Sequence, residues 1–320
     1  MNKTTSSIFD MSLRVKTGIV LFALIVSAAL LAADETDHHL ESFLTSKNPN
    51  YRLQVSHIHG IGFDDNVLVL ATHLGLLRFQ DGSWVAVESP PHDYMGFALV
   101  EKGAYISGHP SILHADEFMN PLGVMFTEDS GYNLTPKGFY GEVDFHWLAA
   151  GYNTTSVYAL TSSHPQTKAP MFAVSQNSGA TWESKGIIGT QGSFVNLAAH
   201  PTDPRKVFLL TASGLYVSFE AGGFFGKLTS LSSMSALAID RIGTKIYLGG
   251  TEMRVLDIEG RPSEMLSIPP LESGEFITGI ATGPQESGLL AYATNRNNAY
   301  ISRNGGTSWR KLLDAGDATR

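Results

Sequence analysis

The sequence predicts one all-β domain, a propeller of about six four-stranded blades, with seven the alternative count. Three observations predict it. A strand–turn–strand unit recurs six times at roughly 40–50-residue spacing. Two near-identical Asn-containing turns each end in tryptophan, and the chain carries 32 Gly among 320 residues with no extended helical stripe. A two-sheet sandwich has no need of six copies in the same order, and a parallel solenoid repeats at a shorter period.

Inner strands are expected at 57–63, 94–100, 144–150, 194–200, 234–240 and 276–282. Second strands follow at 67–72, 104–107, 157–161, 207–211, 245–249 and 290–294, and most units add a third, as at 214–218 and 299–302. The turns 175–182 (Ser-Gln-Asn-Ser-Gly-Ala-Thr-Trp) and 302–309 (Ser-Arg-Asn-Gly-Gly-Thr-Ser-Trp) share one layout, and 127–134 is a worn third copy. In that layout Asn or Asp folds back onto turn amides, Gly takes the φ > 0 position and Trp packs between sheets. These turns resemble Asp-box (BNR) repeats. The resemblance implies that they join third to fourth strands on the face away from a ligand site, so they are read as structural.

Hydrophobic residues make up 43% of the chain, enough to bury a sizeable core. The net charge of −8 leaves no basic face with which to capture phosphates, which excludes a nucleic-acid partner. The absence of cysteine excludes disulfides, thiol catalysis, thiolate metal ligands and lipobox acylation. At the N-terminus, Arg14 and Lys16 precede an apolar run at 18–33, and Asp34, Glu35 and Asp37 follow it. This describes an export signal at 1–33, cut after Ala29 or Ala33, with an uncut membrane anchor as the alternative. A polar linker at 34–50 and the propeller at 51–315 complete the organisation, and a periplasmic or extracellular location follows.

Eleven histidines are present, and none lies beyond His200. Within the repeat they recur at two places. At the start of the inner strands, His57 aligns with Asp93 and Asp144, and His59 aligns with Met95 and His146. Just past the second strands stand His73, His109 and, in a third unit, His164. The start of one strand and the end of its antiparallel neighbour lie on the same face. The repeat therefore brings His57, His59, His73, Met95, His109 and His146 to one rim of the channel, with Asp93, Glu142 and Asp144 close behind. Imidazole suits borderline metals and a thioether adds a preference for copper, so this set predicts a transition-metal site, copper ahead of zinc. Neighbouring carboxylates would fix the ring tautomers. The alternative is that these histidines bond blade to blade and plug the channel. His200, at the far end of its strand, reads as a turn residue.

The phrases His-Ile-His-Gly-Ile-Gly (57–62), Ala-Thr-His-Leu-Gly-Leu (71–76), Tyr-Met-Gly-Phe (94–97), Ser-Gly-His-Pro (107–110), Asn-Pro-Leu-Gly (120–123) and Gly-Glu-Val-Asp-Phe-His (141–146) together resemble an exported bacterial propeller family. That family is labelled glycosyl-hydrolase-like or BNR/sortilin-like, and is related in architecture to photosystem II assembly factors. The label implies a propeller and does not establish hydrolysis. No arginine cluster of the sialidase kind falls at the inner-strand starts. Glu142 and Asp144 are the one carboxylate pair at the rim, two residues apart on an expected strand and so on one face, which keeps a glycosidase reading open. The sequence thus leaves three functions: an exported metal-binding protein, a propeller scaffold for a protein partner, and a glycoside hydrolase.

Overall fold

The computed structural model describes residues 54–87 and 90–319. The export segment, the linker, His38 and His39 lie outside them. The second strands form where short apolar runs leave no polar face. Val157–Thr161, Val207–Thr211 and Leu290–Thr294 are buried along their whole length. Each run folds back on an inner strand on one side and on a third strand on the other, giving antiparallel sheets ordered inner to outer along the chain.

There are six such blades. Blade 1 holds Ile58–Asp64, Val67–Thr72, Gly75–Gln80 and Ser83–Ala86. Blade 2 holds Asp93–Val100, Gly103–His109, Val124–Thr127 and Thr135–Gly138. Blade 3 holds Trp147–Ala150, Val157–Thr161, Met171–Ser175 and Glu183–Lys185. Blade 4 holds Phe194–Ala199, Val207–Thr211, Gly214–Ser218 and Gly226–Thr229. Blade 5 holds Ala236–Ile239, Lys245–Gly249, Met253–Asp257 and Pro262–Leu266. Blade 6 holds Ile277–Thr282, Leu290–Thr294, Ala299–Ser302 and Arg310–Asp314, extended by Asp317–Ala318. Among the described residues the single helical element is a 3-10 turn, Ile112–His114. No described helix is long and apolar enough to cross a membrane.

Each inner strand packs on the next, and that of blade 6 packs on that of blade 1, so the ring is closed. The N-terminal segment secures the closure. Gln54 bridges to Asp317, and the Val55 amide donates to the Gly316 carbonyl at 2.9 Å. The core lies between blades. Tyr158 and Phe172 of blade 3, for example, meet Leu209, Tyr216 and Phe225 of blade 4.

All four tryptophans donate an indole N–H across a blade junction: Trp84 to Leu312 O, Trp147 to Val195 O, Trp182 to Lys137 O and Trp309 to Ser267 O. Trp182 and Trp309 close the two Asn turns. In the first of these, Ser175 Oγ accepts from the Gly179 amide at 2.9 Å, and Asn177 Oδ1 accepts from the Thr181 amide at 2.9 Å. The 302–309 turn repeats both bonds, from Gly306 and Ser308. In the worn copy, Thr127 Oγ1 and Asp129 Oδ1 take the same parts. All three turns join third to fourth strands, at the end of the blades opposite His73 and His109.

Within the channel, Phe97 of blade 2 lies against Gly60 of blade 1. A Cβ on Gly60 would stand 2.6 Å from Phe97 Cβ, so a larger residue would push that ring away. The far end is crossed by Arg241. Its guanidinium lies 3.5 Å over the Tyr152 ring and donates to the Phe63 and Thr282 carbonyls, tying blades 1, 3, 5 and 6 together.

Candidate metal centre

The mouth is built by a backbone irregularity that recurs around the ring. In blades 1, 2, 4 and 6 the ladder between inner and second strands skips one residue, leaving His59, Met95, Val195 and Thr278 in β-bulges. A bulge unpairs one residue and re-aims its side chain. In blades 3 and 5 the same place falls just before the ladder begins, at His146 and Ser235. These six positions, one per blade, line a single cavity of about 410 Å³, with Trp147, Asn196 and Phe276 among the other walls. That volume falls within the range of small-molecule sites, roughly 300–1,000 Å³.

Three imidazoles converge at blade 1. One ring nitrogen from each of His57, His59 and His73 lies within 4.8 Å of the other two. The Nε2 atoms of His59 and His73 are 3.2 Å apart. Two imidazoles on one tetrahedral zinc, each bonded at about 2.0–2.1 Å, stand about 3.3–3.4 Å apart, so this spacing already suits a shared ion. The rings of His57 and His59 are stacked, with that of His73 edge-on to both. Asp93, the first residue of the blade 2 inner strand, places Oδ1 2.8 Å from His73 Nδ1, an ion-pair contact across the blade junction. A carboxylate there favours a proton on Nδ1 and leaves Nε2 as the lone pair facing His59. Burial lowers the His59 pKa to about 4, helped by the His73 charge and against the pull of Asp93. Burial and His73 also lower that of His57. Both shifts favour the neutral ring, the form that offers a lone pair to a metal.

A second group sits at the junction of blades 2 and 3. His146 Nε2 and His109 Nε2 approach the same atom, Asp144 Oδ2, at 2.8 and 3.6 Å. His109 Nδ1 bonds the Asn120 Oδ1 atom at 2.7 Å. Here the electrostatics are reversed. The Asp144 carboxylate beside it raises the His109 pKa to about 9 against the cost of burial, and the hydrogen bond to Asp144 raises that of His146. Burial alone would push the Asp144 carboxyl up, but the two imidazoles, His109 and His146, hold it well below the carboxylate range.

The six residues expected at one rim thus stand at one rim, sorted into two neighbouring groups about two carboxylates. His57, His59 and His73 come together. His109 and His146 gather about Asp144, and Met95 is a wall of the cavity that His59 and His146 share. Both groups also link blade to blade, as the plug reading expected.

Glu142 is a correction. It lies in a turn, its amide donating to the Phe139 carbonyl at 2.9 Å, and the inner strand begins only at Trp147. The strand geometry that would aim Glu142 and Asp144 the same way is absent. His164 accepts from the Gln166 amide in its own loop, and His200 bonds Gly243 O and the Asp203 amide as a turn residue. Neither Asn120 nor His92 was expected at the site. His92 is fully buried, accepts from the Ser111 amide at 3.0 Å and packs on Phe118, anchoring the 110–122 insertion that carries Asn120.

Comparison with known proteins adds architecture. No protein-family model matches the sequence, and no curated protein matches it. Among solved structures the chain is similar to the GH74 enzyme of Niastella koreensis, with a TM-score of 0.56 and 12% identity over 82% of this chain and 46% of that one. It is also similar to a chain of the nidogen/laminin complex, with a TM-score of 0.53 and 10% identity over 82% of this chain and 92% of that one. The chain spans about half the length of the Niastella enzyme. At such identities these likenesses establish the propeller fold.

Proposed function

We propose that this protein is an exported propeller of the Asp-box (BNR)/sortilin-like kind that binds a transition metal, copper ahead of zinc, at His57, His59 and His73. The convergence of three ring nitrogens within 4.8 Å carries this reading. Three imidazoles, one of them lining the cavity, suit an ion that exchanges a ligand. Met95 offers a thioether on the same cavity wall, the feature that favours copper. The Asn turns with their cross-blade tryptophans support the family, and the charged run after the apolar N-terminal segment supports export.

The test is metal content. Full-length protein purified without a polyhistidine tag, loaded with copper or zinc and freed of excess ion, should retain metal and prefer copper. Joint replacement of His59 and His73 by alanine should remove one equivalent, and Met95→Leu should narrow the copper preference. A double variant that holds as much metal as the parent would rule the site out.

A second reading, a scaffold for a protein partner, is favoured by one observation. The loop that follows His109 exposes Ile112, Leu113 and Met119 at 46%, 42% and 55%. Exposed apolar side chains on one loop suit a docking face. Partner binding that survives the His59/His73 double replacement would support this reading over the first.

A further inference from the structure

We propose that the cavity of about 410 Å³ at the inner-strand starts binds a small uncharged aromatic molecule bearing a hydroxyl, a phenol or an aryl alcohol. Such a ligand binds whether or not the three-histidine centre holds an ion.

Three observations carry it. First, the cavity is layered. Its outer ring is the six positions supplied one per blade, and Phe97, Leu148 and Leu197 follow two residues further along their inner strands. Residues two apart on a strand face alike, so a mixed outer ring leads to an apolar floor. Trp147 and Phe276 add aromatic walls. The Trp147 indole N–H is spent on the Val195 carbonyl at 2.9 Å, so that residue offers a ligand ring surface alone.

Second, no Asp, Glu, Lys or Arg lines the cavity. The two histidines that do, His59 and His146, are engaged with His73 and Asp144. Nothing with a fixed charge would offset the desolvation of a charged ligand there. Third, a donor and an acceptor are left over on adjoining blades. Asn196 Oδ1 accepts from the Leu197 amide at 2.8 Å, and Asn196 Nδ2 has no partner among the described residues. Ser235 Oγ donates to the Ile277 carbonyl at 2.6 Å and accepts no hydrogen bond among the described residues. The inner strands of blades 4 and 5 pack on each other, and both residues line the cavity. A hydroxyl is donor and acceptor at once and satisfies both, whereas an ether or carbonyl satisfies only one.

The experiment uses 2-naphthol as the probe. Full-length protein, treated with a chelator and dialysed free of metal, is brought to equilibrium dialysis against 2-naphthol at neutral pH, and bound probe is read from its fluorescence. One equivalent per chain is expected, with a dissociation constant of roughly 1 mM or tighter. Asn196→Ala and Ser235→Ala should each weaken binding by about tenfold. The methyl ether of 2-naphthol accepts but cannot donate. It should bind more weakly than 2-naphthol in the parent and equally well in Ser235→Ala. The charged 2-naphthoate should also bind more weakly, and Thr278→Trp, which fills the cavity, should abolish binding. Melting temperatures establish that each variant is folded. Should Thr278→Trp fail to fold, the comparison of the two probes in Ser235→Ala still decides.

No bound 2-naphthol in the parent overturns the site, as does undiminished binding in folded Thr278→Trp. A methyl ether that binds the parent as well as 2-naphthol does, or equal losses of both probes in Ser235→Ala, overturns recognition of the hydroxyl. Tighter binding of 2-naphthoate overturns the uncharged class. Metal is absent from every arm, so the three-histidine centre stands or falls separately.

Discussion

Replacing Gly108 by alanine is expected to destabilise the propeller by about 2–6 kcal/mol, the sum of roughly 1–3 for a strained backbone and roughly 1–3 for overpacking. Gly108 lies in the second strand of blade 2 with φ at +143°, and a Cβ there would stand 1.9 Å from the Asp93 carbonyl oxygen and 2.9 Å from the Met95 nitrogen. No rotamer relieves a clash between Cβ and backbone, so the inner strand must move. That strand carries Asp93 and Met95, and its displacement should weaken metal binding as well as the fold. At about 2–4 °C per kcal/mol for a domain of this size, the melting temperature should fall by about 4 °C or more. Gly82→Ala is the matched control: φ is +85° and nothing lies within 4 Å of the added Cβ, so only the backbone term applies. Equal melting temperatures for the two variants would contradict the steric argument.

Asp93→Asn is expected to weaken metal binding by about 10–100-fold, equivalent to about 1.4–2.7 kcal/mol, while leaving the fold intact. The carboxylate lies 2.8 Å from His73 Nδ1, and its charge is what favours a proton on that nitrogen. Asparagine keeps the volume but not the charge. The His73 ring is then free to carry its proton on Nε2, where it blocks the position that faces His59. A competition titration with a chelator of known affinity measures the loss. An unchanged affinity would show that Asp93 does not orient the ligand.

The parts of the fold that were legible in the sequence are those with one physical cause. Second strands at 67–72, 157–161, 207–211, 245–249 and 290–294 lie where they were read, because a short apolar run buried on both faces admits no other register. Inner strands shift by one to three residues. They are half exposed toward the channel, and the bulges at His59 and Met95 break the two-residue alternation that would mark their bounds. The equivalence of His59, Met95 and His146 was legible because the repeat aligns them, although the bulge that turns them inward leaves no mark in composition.

The division into two groups was not legible. It depends on which carboxylate each imidazole meets across a blade junction, Asp93 for His73 and Asp144 for His109 and His146. Asn120 was equally hidden. It lies in an insertion between the second and third strands of blade 2, so the repeat supplies no counterpart to align it with. Glu142 was misplaced because strand periodicity was carried N-terminally past Trp147, where the strand begins, into a turn.

The claim on which the rest depends is that His57, His59 and His73 bind one ion together. Crystals of the full-length protein grown with copper or zinc, measured at the absorption edge of that metal, test it directly. The expected result is an anomalous peak bonded to a nitrogen of each of the three rings at about 2.0–2.1 Å. Three ordered imidazoles with no peak between them would contradict it.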